Sequence, residues 1–130
     1  MTKEENISYW LNSANHDLDT AKVLFESGRY DWCLFIGHLV IEKILKAHYV
    51  NDIDKVPPKI HDLVRLSRYI NIEFNEERLK ILERFNDFHI EARYPDEKLE
   101  FYKICTKEFT ESNFKKIEEM YQWLLSKLKY

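Results

Sequence analysis

The sequence predicts an all-α protein, an up-and-down antiparallel four-helix bundle with one additional short helix. Three observations carry this. Only two Gly and three Pro occur in 130 residues, too few for the tight turns of an all-β fold. Hydrophobic residues make up 45% of the chain and aromatics 15%, which excludes intrinsic disorder. Apolar residues recur at spacings of three and four through long, lightly punctuated segments. The length suits one domain over residues 1–130, with a core that needs neither disulfide nor metal.

Taken in order, Ile7, Trp10, Leu11, Ala14, Leu18, Ala21 and Phe25 form one apolar stripe, predicting a first helix from Lys3 to Ser27. Gly28 is suited to close it. The second helix, Tyr30 to Asn51, is apolar around most of its circumference and is expected at the centre. Along it His38, Glu42 and Lys46 stand four apart as a polar line. Pro57-Pro58 forbids helix and marks a loop. A short helix from His61 to Ile70 follows, with a polar residue of the His61-Asp62 pair capping its N–H groups. Asn75 is expected to cap a fourth helix whose stripe is Leu79, Leu82, Phe85 and His89 and which ends at Tyr94-Pro95. Residues 96–106, aromatic but charged, are read either as irregular or as a short helical turn. The last helix, from Thr106, carries Phe109, Ile117, Met120, Tyr121, Leu124 and Leu128 inward.

Charge and composition narrow the function. The net charge of −3 advertises no overall attraction for nucleic acid, so any basic site must be local. Cys33 and Cys105 lack CxxC spacing and read as reduced core cysteines. The N-terminus has no apolar signal region, and the most apolar run, Trp32 to Ile41, is half a membrane span. The expectation is a soluble, cytoplasmic protein with no membrane association. The five histidines show no ligand pattern such as HExxH, so no metal site and no cofactor are predicted.

Two groups of residues carry chemistry. Asp17 on the first helix, with Glu42 and Lys46 on the second, suits either a half-buried charge network fixing helix register or a polar ligand groove. The segment ERFNDFHIEARYPDE places Arg84, His89 and Arg93 beside Tyr94-Pro95. On an ideal helix Arg84 and His89 point about 140° apart. They would share a phosphate only if two copies met across a dimer axis. His89 and Arg93 share a face wherever helix persists. A near-neutral histidine can move the proton of a 2′-hydroxyl, and an arginine fork can hold the phosphate.

Several strings, in order, resemble the HEPN domain family: Trp10-x3-Ala14-x2-Asp17-Leu18-x2-Ala21, Gly28-Arg29-Tyr30, His38-x3-Glu42-Lys43-x2-Lys46-Ala47, Pro57-x3-His61-Asp62-Leu63-x2-Leu66 and Ala92-Arg93-Tyr94-Pro95-Asp96. The resemblance spans Ile7 to Leu128. It implies a helical bundle that commonly forms homodimers, often the toxin beside a separate minimal nucleotidyltransferase antitoxin. Active members are metal-independent ribonucleases with an Arg-x4–6-His motif, which maps here to Arg84 and His89. Arg93, Asn86 and Tyr94 would then support the phosphate or nucleotide. Phe85 stands where active members usually carry a polar residue, and Glu91 where modifiable ones carry tyrosine. The alternative implied by the family is a non-catalytic module binding a nucleotide or partner, using Asp17, Glu42 and Lys46 with Arg93.

Overall fold

A computed structural model describes residues 1–130. The order of elements is α1 (Lys3–Glu26), α2 (Tyr30–Ile53), α3 (Leu63–Ser67), α4 (Glu76–Asn86), a 3₁₀ turn (Ile90–Ala92), α5 (Pro95–Ile104) and α6 (Lys107–Lys127). No strand is present, and no helix is long and apolar enough to cross a membrane.

The starts of the helices follow capping chemistry. Thr2 and Glu5 close α1 in a reciprocal capping box. Asp62 accepts from the Val64 and Arg65 amides at α3, Asn75 from Arg78 at α4, and Thr106 from Phe109 at α6. At the end of α1, Gly28 adopts φ +77°; its amide donates to Phe25 O and the Arg29 amide to Leu24 O. These two bonds make a Schellman closure, which needs the left-handed conformation that glycine adopts freely.

Helix α2 is the centre. Cys33, Leu34, Val40, Ile41, Ile44, Leu45 and Ala47 along it are fully buried, and it packs against α1, α6, α3 and α5. Gly37 lets α6 come close, since a Cβ there would lie 2.6 Å from Ile117 Cδ1. The bundle therefore presents the middle of α2 to every neighbour, and polar groups there must find partners inside the protein.

Two expectations are corrected around α4. The helix ends at Asn86, not at Tyr94-Pro95. Its last turn tightens, with the amides of Asp87, Phe88 and His89 bonding to Arg84, Phe85 and Asn86 three residues back. That winding puts Phe85 and Phe88 both in the core, where Phe88 meets Phe101 and Phe109, and lifts His89 off the α4 stripe. Pro95, read as a terminator, instead starts the ten-residue α5. At the first helical position its missing N–H costs nothing, and its φ suits the helix. The bundle thus carries two extra helices, α3 and α5, where one was expected.

A buried histidine–carboxylate site on the central helix

Glu42 organises the site. Its side chain is only 7% exposed, and it accepts from Lys46 Nζ at 3.0 Å through Oε2 and from His61 Nδ1 at 2.9 Å through Oε1. His38, one turn earlier, lies with Nδ1 4.0 Å from the same Oε1. Its Nε2 is 3.0 Å from the backbone carbonyl of His61. A carbonyl only accepts, so Nε2 carries the proton and Nδ1 of neutral His38 presents a lone pair.

The last member, His89, arrives from the turn after α4. The His89 ring lies 5.0 Å from that of His38, 4.6 Å from that of His61 and 5.3 Å from that of Phe35, centroid to centroid. Asn86 fixes this approach. Its side-chain oxygen accepts from the Leu63 amide at 2.9 Å, and its Nδ2 donates to Asp62 Oδ1 at 3.0 Å. The end of α4 is thereby bound to the start of α3, and His89 is held opposite His61. Asn86 thus positions the site through α3.

Burial sets the charges. It holds His38 down at about 4, against the opposing pull of Glu42, so the ring is neutral at pH 7. His89 is lowered by burial and by the nearby His61. Burial pushes Glu42 upward, yet the hydrogen bonds from His61 and Lys46 outweigh it and leave the carboxyl below its ordinary value. The Nδ1 atoms of His38 and of His89 are buried without a hydrogen-bond partner. Nitrogen and oxygen atoms of His38, Glu42 and His89 converge within 4.8 Å of one another.

The other anticipated residues are distributed differently. Asp17 does not join Glu42 and Lys46; it pairs with Lys43 Nζ at 2.6 Å, which also reaches Ser13 at 2.8 Å. Lys46 instead lies over the Trp10 ring, 5.6 Å from its centroid. Arg84 is exposed on a cleft with Lys80, Glu83, Phe101 and Phe109, whereas His89 faces α2 and His61. The 140° separation does not apply, because the helix stops between the two. His89 and Arg93 share no helical face: the Arg93 guanidinium donates to Asp87 O at 2.7 Å and lies 3.6 Å from Glu97. The cleft beside Arg93 is lined by Asp87, Asp96, Glu97 and Glu100, an environment that repels phosphate. Tyr94 is 75% exposed.

Sequence reading missed the role of the His61 ring. Asp62 alone supplies the cap, which frees His61 to reach Glu42. The signal was the polar line itself, because a Glu and a Lys on a helix apolar all round need partners from elsewhere in the chain.

The comparisons agree with this architecture. The model of the HEPN domain matches residues 7–128. Among solved structures, the crystal structure of TT1696 from Thermus thermophilus superposes with a TM-score of 0.79 at 20% identity, covering 94% of this chain and 98% of that one. ST0689, an archaeal HEPN homologue, gives 0.74 at 18% identity, covering 95% and 98%. None of the curated proteins matches the chain. With a family model covering almost its full length and a helical fold to match, the chain belongs to the HEPN domain family.

Proposed function

We propose that the protein is a metal-independent ribonuclease of the HEPN type, acting in the cytoplasm as a homodimer and restrained by a separate minimal nucleotidyltransferase, as a toxin is by its antitoxin. The observation that carries this reading is the end of α4. Arg84 stands exposed in the last turn, and His89 follows just beyond it, neutral and backed by a hydrogen-bonded carboxylate–imidazole pair. Neutral imidazole can take the proton of a ribose 2′-hydroxyl, while an exposed guanidinium holds the phosphate. Because Arg84 and His89 open to different sides of one chain, the reading requires Arg84 of one protomer to meet His89 of the other. An apolar surface suited to pairing lies on α5, where Leu99, Tyr102 and Ile104 are each more than half exposed.

The test uses a mixed pool of tRNA and mRNA in EDTA. Wild type is expected to cleave, and Arg84→Ala and His89→Ala each to lose about 10²–10⁴-fold. Mixing the two inactive variants regenerates one intact composite site per heterodimer and restores part of the activity. Cleavage that survives in His89→Ala rejects the assignment. Two dead variants that stay dead when mixed, with subunit exchange demonstrated, reject the composite site.

A second reading is favoured by the same divergence of Arg84 from His89: a non-catalytic module that binds a nucleotide or partner through Glu42 and Lys46, whose side chains, 7% exposed, would open to it on binding. A folded dimer that cleaves no RNA in the pool but binds nucleotide, with binding lost in Lys46→Met, decides for it.

A further inference from the structure

The His38–Glu42–His89 cluster has a feature that a packed core does not need: lone pairs that face one another. The Nδ1 lone pair of His38 is fixed by the Nε2–His61 carbonyl bond and points toward an anionic oxygen 4.0 Å away. His38 is fully buried, and this nitrogen has no hydrogen-bond partner; Nδ1 of His89 lacks one too. Two acceptors set face to face repel unless something positive lies between them.

We propose that His38 Nδ1, Glu42 Oε1 and a ring nitrogen of His89 form a three-ligand site for a divalent transition cation of the Zn²⁺ class, with water as fourth ligand. Two imidazoles and one carboxylate are the donor set such a cation takes when one position stays open. Bonds of ~2.0–2.2 Å at tetrahedral angles separate ligand atoms by ~3.4 Å. The 4.0 Å gap and the 4.8 Å envelope close to that by side-chain shifts of under ~1 Å. His89 lies in the turn outside α4, so its ring can make that movement.

The surroundings agree. Lys46 occupies only Oε2 of Glu42, and Oε1 has a second lone pair beside the one that accepts from His61. The His61–Glu42 bond then orients the ligating carboxylate, as outer partners do in metal sites. Cys33 and Cys105 are both buried, and burial pushes their thiols up to about 12, so they do not compete as thiolates. The site shares His89 with the nuclease reading: a bound ion withdraws that ring from proton transfer, so the nuclease reading applies to the metal-free protein.

The experiment is calorimetric titration of chelator-stripped full-length protein with Zn²⁺, paired with the visible spectrum of the Co²⁺ form. Wild type is expected to bind one ion per chain, with Co²⁺ bands of a four- or five-coordinate nitrogen–oxygen site and no thiolate band. His89→Ala, which alters a half-buried turn residue, and Glu42→Gln, which keeps the side-chain shape, each remove a direct ligand and weaken binding by at least about 100-fold, the upper end of what losing an outer partner costs. His16→Ala, on the exposed face of α1, leaves it unchanged. Binding unaltered in His89→Ala, abolished in His16→Ala or accompanied by a thiolate band overturns the proposal, as does wild-type affinity weaker than about millimolar. These readouts measure binding alone, so a failed nuclease assay and a failed metal titration remain separate results.

Discussion

Helix α2 carries two lysine–carboxylate pairs one turn apart, and they differ in kind. Lys43 with Asp17 and Ser13 sits where α1 meets α2 near the surface, the Lys43 and Asp17 side chains 22% and 15% exposed. Lys46 with Glu42 is 7% exposed on both sides and is joined by His38, His61 and His89. In the first, one lysine reaches a carboxylate and a hydroxyl, and the geometry needs nothing more. In the second, the charges are matched but two ring nitrogens are not. A satisfied pair fixes how two helices lie against each other. A buried cluster with unpartnered ring nitrogens stores binding capacity, because the desolvation cost of placing those groups there has already been met.

The largest expected difference comes from Glu42→Ala. It leaves the Lys46 ammonium buried without its counter-ion, at a cost of about 3–5 kcal/mol. Urea unfolding should show it as a large drop in midpoint, and a loss below about 1 kcal/mol would erase the contrast between the clusters.

Next is pH. His38 falls from an ordinary 6.5 to about 4 in the folded protein. Between those values the unfolded chain binds a proton that the folded chain does not, so protonation favours unfolding. Stability is therefore complete above about pH 6.5, declines as pH falls toward 4, and loses at most about 3.5 kcal/mol from this group at roughly 1.4 kcal/mol per unit. His48 and His89, also lowered, steepen the decline in the same direction. Glu42 adds to it only below its ordinary 4.5. Thermal melts from pH 7.5 to 4 measure the slope; a flat profile would mean that His38 is solvated.

The smallest effect belongs to the outer pair. Ser13→Ala removes one hydrogen bond to Lys43 and should cost about 0.5–1 kcal/mol. Zn²⁺ titration of this variant should match wild type. A loss of metal binding there would mean that the two clusters are coupled through α2.

Much of the bundle could be read from residue spacing. The stripe on α1, the apolar girth of α2, the cap Asn75 and the start of the last helix at Thr106 are local signals, decided within a few residues of each other. The end of α4 was not legible, because Phe88 enters the core only by virtue of Phe101 on a helix that comes later. Pro95 gave the right boundary with the wrong direction, since proline both follows helices and opens them. The site divides along the same line. Glu42 and Lys46 were marked by being charged on an apolar helix. Asp17 was grouped with them because helical spacing does not say which lysine of α2 an α1 carboxylate meets. His61 and His89 approach His38 across chain separations of 23 and 51 residues, which no local pattern encodes.

The Asn86 side chain has a consequence of its own for motion. By accepting from the Leu63 amide it replaces a backbone acceptor that α3 lacks at its start. A five-residue helix is too short to persist alone. The order of α3 is therefore borrowed from α4, and the two ends must loosen together. Amide exchange at Leu63 then reports the lifetime of the whole junction.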